Sequence, residues 1–284
     1  MPSENVAVSE LYRAGAELDH RPAPDRRGRK RAARREALLD HAGEIVAVAG
    51  VSGLTMAALA ERADYAPASL YTYFASRSAL ISALQQRALT VLGGVARESA
   101  DSWDDSLAQV GHGEPSEVSA LARLWAFSDL FLTAPEHHPH EFALQQELLT
   151  TPAIDDLTEV ASVVPVAMAV LDLPARLLRS ARQVGVLNDS NTNVGDDVSS
   201  RLGEPLDVDL YRTITWVTAL NGALLTDRIA AGLPTTGSDL GTSMTLAFLI
   251  GWGADRATVT KARHLADSVL ADSVHTFTRK KEIS

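Results

Sequence analysis

Tyr65, Tyr71, Tyr73 and Phe74 fall close together in the stretch "RADYAPASLYTYFASRSAL", Arg62 to Leu80, of a chain in which aromatic residues supply only 5%. The phenols alternate with the hydroxyls of Ser69 and Thr72. Such short hydrogen-bonding side chains suit an acceptor-rich partner surface, and phosphate oxygens are acceptors of that kind. A second set is basic: "RPAPDRRGRKRAARR", Arg21 to Arg35, holds eight basic residues and one acid, a plausible contact for a polyanion. A third is "EHHPHE", Glu136 to Glu141, whose imidazoles and carboxylates are of the type that holds zinc. Its proline makes a compact ligand face hard to form, so a solvated loop or helix start is the favoured reading and no metal is expected.

The bulk composition bounds the rest. The chain has 284 residues, 46% of them apolar, enough for one large or two modest domains with a real core. It has no cysteine, which removes disulfides, thiolate metal sites and cysteine nucleophiles together. Apolar runs such as "VASVVPVAMAVL" fall short of the roughly 20 residues of a membrane helix, and the expectation is a soluble, cytoplasmic protein with no membrane partner. The net charge of -10 hides an asymmetry: residues 1–87 carry +2 and the remainder -12. No H-E-x-x-H, G-x-S-x-G, P-loop or G-x-G-x-x-G appears, so neither an enzyme nor a bound cofactor is expected.

The elements that must position these groups read as helices. Residues 1–32 mix Pro, Gly and charge and are expected to form a flexible basic extension. From Ala33, the spacing of Leu38, Leu39, Ala42, Ile45, Val46 and Ala49 predicts an amphipathic helix that Gly50 ends. Thr55 can cap a second helix bearing Met56, Leu59, Ala60 and Ala63 inward. Asp64 and Tyr65 interrupt it; Pro67, suited to a first helical position, starts a third helix through Tyr73, and Ser76 can cap a fourth. Two short helices across a tight turn, behind a longer packing helix, describe a helix-turn-helix unit.

The segment "GVSGLTMAALAERADYAPASLYTYFASRSALI" resembles the DNA-binding segment of TetR-type transcriptional regulators. The matching positions are Thr55, Leu59, Ala60, Ala63, Leu70, Tyr71, Tyr73, Phe74, Ser76, Arg77 and Leu80. Asp64 stands where that family usually has Gly in the turn, and Ala66 where it usually has Ser before the third helix. The resemblance implies an all-α fold: an N-terminal three-helix DNA-binding unit at 33–85, then a larger helical effector-binding and dimerisation domain at 86–284. Downstream, "EVSALARLWAFSDLFL" is apolar over too wide an arc for a surface helix and is expected at the centre of that domain. The polar "NDSNTNVGDDVSSRLGEP" is expected to be a mobile loop.

In a helix-turn-helix unit the second helix enters the major groove. Tyr71 and Tyr73 are then expected to hold phosphates, with Thr55 and Arg77 at the flanking helix starts. Pro67, Ala68, Ser69 and Thr72 are short enough to bring backbone near base edges. Arg29, Lys30 and Arg31 would add contacts from the basic extension in the adjacent minor groove. One head is small for selective binding, so a homodimer on a palindromic operator is expected, with the helices Leu210–Gly232 and Asp255–Val274 meeting through Gly222, Ala223, Ala262 and Ala266. The resemblance implies a repressor released by an apolar or amphipathic small molecule, for which Trp125, Phe131, Phe142, Met168, Trp216 and Asn221 are candidate pocket residues. The competing reading is an all-helical enzyme or interaction module without sequence-specific DNA binding.

Overall fold

The computed structural model describes residues 26–110, 113–150, 157–188, 207–229 and 234–281, and among them every regular element is helical. The expected loop from Asn188 onward, the helix end at Gly232 and the first part of the basic extension lie largely or wholly outside the described residues. The chain divides into two compact units, residues 1–86 with 151–165, and residues 87–150 with 166–284.

In the first unit, α1 (Arg26–Gly53) starts before the residue expected from the apolar pattern. Arg29, Lys30 and Arg31 therefore stand on a helix and not in a flexible arm. Arg, Lys and Ala are strong helix formers, and the single Gly28 costs only about 1 kcal/mol against them. Leu38, Leu39, Ala42, Ile45 and Val46 are buried, whereas Ala49, expected inward, is exposed because the helix is about to end. Gly50 breaks the helical path with φ 69°, a conformation that favours glycine, and Val51 and Leu54 then turn into the core.

Helix α2 (Met56–Ala63) is capped as expected: the Ala58 N–H donates to Thr55 Oγ1 at 3.0 Å. It closes at Asp64, the only described non-glycine residue with positive φ, at 55°. The Tyr65 N–H donates back to the Ala60 carbonyl at 2.9 Å, satisfying one of the orphan carbonyls of the helix end. Pro67 opens α3 (Pro67–Leu70), and Ala66 supplies no side-chain cap. The helix is shorter than expected: through Tyr73 it continues only as tighter turns, with the Tyr73 N–H donating to the Leu70 carbonyl at 2.8 Å. Helix α4 (Arg77–Val110) follows, its start capped by Ser76 Oγ, which accepts from the Ala79 N–H at 3.0 Å.

Two further features mark this unit. Arg62 Nε donates to Glu44 at 2.7 Å, tying α2 to α1, and this hydrogen bond holds the Glu44 carboxyl below its ordinary pKa. The first turns of α7 (Leu157–Gln183) also belong here, with Gln86 Nε2 donating to Ser162 Oγ at 2.9 Å and Ser82 Oγ to the Glu159 carbonyl at 3.4 Å.

The second unit is built on α5 (Ser116–His137), which buries Leu121, Leu124, Trp125, Phe127 and Leu132 and is central, as its apolar arc predicts. Around it lie α6 (Pro139–Thr150), the rest of α7, α8 (Val208–Ile229), α9 (Gly237–Gly251) and α10 (Arg256–Lys281), with α10 packed most extensively along it. The stretch Ala161–Gln183 is apolar and long enough to cross a membrane by length and composition, longer than the run noted in the sequence. Leu173, Leu177, Leu178 and Ala181 within it are buried in this core, which accounts for their character.

The small residues expected at a dimer seam are mostly spent elsewhere. Ala223, Ala262 and Ala266 are fully buried within the chain, the last two on α10, which packs along α5, and Ala223 on α8, which packs on α9. Gly222 alone of the four is exposed, and a Cβ there would meet nothing within 4 Å.

The strain at Asp64 is testable. A left-handed conformation costs an ordinary residue about 1–2 kcal/mol and glycine almost none. Asp64→Gly is expected to raise stability by up to about 1 kcal/mol and Asp64→Val to lower it by about 1–2 kcal/mol. Urea midpoints that fall for the glycine variant would show that the Asp side chain contributes more than its backbone costs.

Candidate nucleic-acid interface

The short helix α3 exposes one face and buries the other. Leu70 and Phe74 are buried in the three-helix core, so Pro67, Ala68, Ser69, Tyr71 and Thr72 are left outward. Tyr71 is 54% exposed, a large ring held against no core. Thr72 Oγ1 donates to the Ser69 carbonyl at 2.7 Å, which fixes the hydroxyl while leaving its lone pairs free to accept. Thr55 is exposed at the start of α2, its oxygen already accepting from Ala58.

Tyr73 is half-buried and meets Tyr65 edge to face, ring centroids 6.4 Å apart. The pair fits the quadrupole preference of aromatic rings and gives Tyr65 a packing role. The surface therefore presents one fully outward phenol, Tyr71, and one whose ring is braced, Tyr73.

The basic end of α1 reaches this same face. Arg31 Nη2 donates to the Thr72 carbonyl at 2.6 Å, and the Arg35 guanidinium lies over the Phe74 ring, 5.1 Å from its centroid. A cation at the C-terminal end of α3 satisfies a carbonyl that the helix itself leaves open. Arg29 and Lys30 are exposed on the same turns of α1. Arg31 thus meets the turn that follows α3 from within a helix.

Arg77 has a different task from the one expected. Its Nε donates to the Leu54 carbonyl and its Nη2 to the Val51 carbonyl, each at 2.6 Å. Those carbonyls lie where α1 ends and α2 begins, and the Val51 carbonyl also accepts from the Leu54 N–H at 3.2 Å. The guanidinium is a clamp between the start of α4 and the α1–α2 junction, and no motif in the sequence announces it.

The candidate pocket residues of the second unit are only partly assembled. Phe131 and Phe142 meet edge to face at 5.7 Å, and Phe127 lies 5.1 Å from Trp216 and 6.3 Å from Phe131. Asn221 Nδ2 donates to the Val217 carbonyl at 3.0 Å, while its buried Oδ1 meets no donor. Trp125 is buried under the Arg263 guanidinium, 5.0 Å above its ring, with its Nε1–H lacking an acceptor. Met168 is half-buried on α7. Among "EHHPHE", His137 ends α5 and Pro139 begins α6, and no three metal-binding side chains converge among the described residues.

Residues 38–84 match the family model of bacterial regulatory proteins of the tetR family. No curated protein matches the chain in sequence. Among solved structures it is similar to SCO4313, a protein assigned to the regulatory class, with TM-score 0.53 and 21% identity over 80% of this chain and 98% of that one. It is also similar to a protein of unknown function from Rhodococcus sp. RHA1, at TM-score 0.49 and 17% identity over 83% of this chain and 98% of that chain. A third is the transcriptional regulator FadR from Bacillus subtilis in complex with stearoyl-CoA, at TM-score 0.45 and 14% identity over 76% and 98% of the two chains. At these identities the likeness is one of fold.

The Arg77 clamp sets an expectation of its own. Removing two charge-assisted hydrogen bonds loosens the α1–α2 junction from the start of α4, so Arg77→Ala should lower stability by about 2 kcal/mol in thermal or urea unfolding. Its effect on DNA binding should vanish once the variant is assayed where it is fully folded. An unchanged unfolding midpoint, with a salt dependence of DNA binding flatter by about one unit, would return Arg77 to the phosphate-contacting set.

Proposed function

We infer that this chain, of the tetR family by the match over its residues 38–84, is a homodimeric repressor that binds a palindromic operator and is released from it by a small molecule. The observation that carries the DNA contact is the outward face of α3, where Ser69, Tyr71 and Thr72 stand exposed beside the basic turns of α1. Tyr71 supplies a phosphate contact and Tyr73 a second, braced one; Thr55 adds another at the start of α2. Pro67, Ala68, Ser69 and Thr72 read base edges, through hydroxyl hydrogen bonds and contact with thymine methyls. Arg29, Lys30 and Arg31 extend the phosphate contact along α1.

The test is a gel shift or anisotropy titration of the full chain on DNA from upstream of its own coding region, repeated across salt concentrations. Tyr71→Phe should weaken binding to all sequences alike, whereas Ser69→Ala and Thr72→Val should change which bases are preferred. Base preference untouched by both α3 variants would remove α3 from the groove.

The dimer is assigned to the paired α8 and α9. These helices pack on one another and turn outward a face without charge: Ile214, Thr218 and Gly222 on α8, Ser243, Met244 and Ala247 on α9. Small residues on such a face allow two helix pairs to approach closely. Two heads then read half-sites one helical turn, about 34–36 Å, or a multiple of it, apart. Because Gly222 opens onto free space within its own chain, Gly222→Trp should fold normally yet run as a monomer in light scattering and lose at least tenfold in operator affinity. A Gly222→Trp protein that stays dimeric at micromolar concentration would place the interface elsewhere.

Release requires that the effector bind better to the state with low DNA affinity. Linkage then makes the effect reciprocal, typically 5- to 150-fold in each direction for a coupling of about 1–3 kcal/mol. The aromatic group of Phe131, Phe142 and Trp216, with the unmatched Asn221 Oδ1 nearby in sequence on α8, supports a site in the second unit.

A further inference from the structure

The second unit contains an open cleft of about 340 Å³ between α5, α9 and α10. Leu132 and Leu270 give it apolar walls, and Asp129, Thr242, Arg263 and Asp267 give it polar ones. Arg263 Nη1 donates to both carboxylate oxygens of Asp129 at 2.8 Å, and its Nε faces Asp267 at 3.1 Å. Two carboxylates share one guanidinium, so the cleft carries one excess negative charge. Burial lifts the Asp129 carboxyl above its ordinary pKa, against the hydrogen bond from Arg263 that lowers it.

One helical turn from the cleft wall lies a hydrogen-bond network that does not close. Ser128 precedes Leu132 by four residues on α5, and Thr245 follows Thr242 by three on α9, so each pair shares a helix face. Ser128 Oγ and Thr245 Oγ1 are 2.9 Å apart, and Thr245 Oγ1 also accepts from Trp216 Nε1 at 2.9 Å. All three side chains are buried, Ser128 and Thr245 completely. The three groups own three donor protons, two hydroxyl and one indole, and make two hydrogen bonds between them. Whichever hydroxyl donates to the other, one proton meets no acceptor among the described residues. A buried donor left in that condition is costly, and such groups call for an explanation.

We propose that the cleft and the Ser128–Thr245 pair form the effector site, and that its ligand is an uncharged molecule with a flat apolar body and one acceptor oxygen, a carbonyl above all. The donors run in one direction, Trp216 Nε1 to Thr245 Oγ1 and Thr245 to Ser128 Oγ, so the oxygen takes the proton of Ser128, with Thr245 one hydrogen bond deeper; the ring of Trp216 flanks it, and the body lies against Leu132 and Leu270. Entry displaces the Leu132 side chain, which now fills the place a Cβ at Gly241 would occupy. The excess negative charge of the cleft turns away carboxylates. This assignment rests on the effector-released reading above and adds to it a place and a chemical class.

The test is calorimetric titration of the full dimer with three probes of one size: 2-acetonaphthone, 2-ethylnaphthalene and 2-naphthoate. The ketone should bind about tenfold more tightly than the hydrocarbon, the gain of one hydrogen bond to a buried donor, and the carboxylate most weakly. Ser128→Ala should erase the preference of ketone over hydrocarbon. Equal affinities for ketone and hydrocarbon, tighter binding of the carboxylate, binding of no probe, or a ketone preference that survives Ser128→Ala would each overturn the site. If Ser128→Ala fails to fold, Leu132→Trp, which fills the cleft, takes its place, and ketone binding retained in that variant overturns the proposal equally. A gel shift run alongside separates the two readings: Ser128-dependent ketone binding that leaves operator affinity unchanged keeps the site and removes the release, whereas release by a compound indifferent to Ser128 does the reverse.

Discussion

The arrangement of the first unit depends on how the chain satisfies backbone carbonyls where α1 ends and α2 begins. Gly50 breaks α1, and the carbonyls of Val51 and Leu54 lie at the junction that follows. The Arg77 guanidinium reaches back from the first residue of α4 to accept that duty, with two 2.6 Å bonds. Once it is made, the entry to α2, the start of α4 and the short α3 between them share a single frame. The exposure of Tyr71 and the position of Ser69 follow from this frame and from the burial of Leu70 and Phe74 on the opposite face.

The same accounting of donors and acceptors, applied to the second unit, distinguishes packing from unfinished business. Most of its core is aliphatic and aromatic contact around α5, which asks nothing of a ligand. Among the described residues the hydrogen bonds of its polar groups are incomplete at Ser128–Thr245–Trp216, at Gln145 Oε1, at Asn221 Oδ1 and at Trp125 Nε1. In a low-dielectric interior such gaps are expensive, and a small molecule that fills one gains more than it would from the same contact in water.

Much of the head was legible in the sequence because its signals are local. Thr55 and Ser76 cap helices through bonds to residues three positions on, Pro67 starts α3 by its own ring, and Asp64 accepts the left-handed turn alone. What could not be read depends on partners far along the chain. Arg77 finds its carbonyls 23 and 26 residues away, and Ser128 meets Thr245 across 117. The burial of Ala262 and Ala266 is hidden for a related reason: they look as available as Gly222 until α10 packs along α5. α1 starts earlier than the Pro and Gly nearby suggest, because the arginines and alanines there are strong helix formers.

The helical state of the turns from Arg26 onward changes what DNA binding must cost. A flexible arm has to be immobilised as it enters a groove, at roughly 1–2 kcal/mol of backbone entropy per residue ordered. The turns that carry Arg29, Lys30 and Arg31 already hold helical dihedrals and are pinned through the Arg31–Thr72 bond. In the proposed complex their charges meet the duplex as a preorganised surface, whose Coulombic attraction is not spent on folding the segment that bears it.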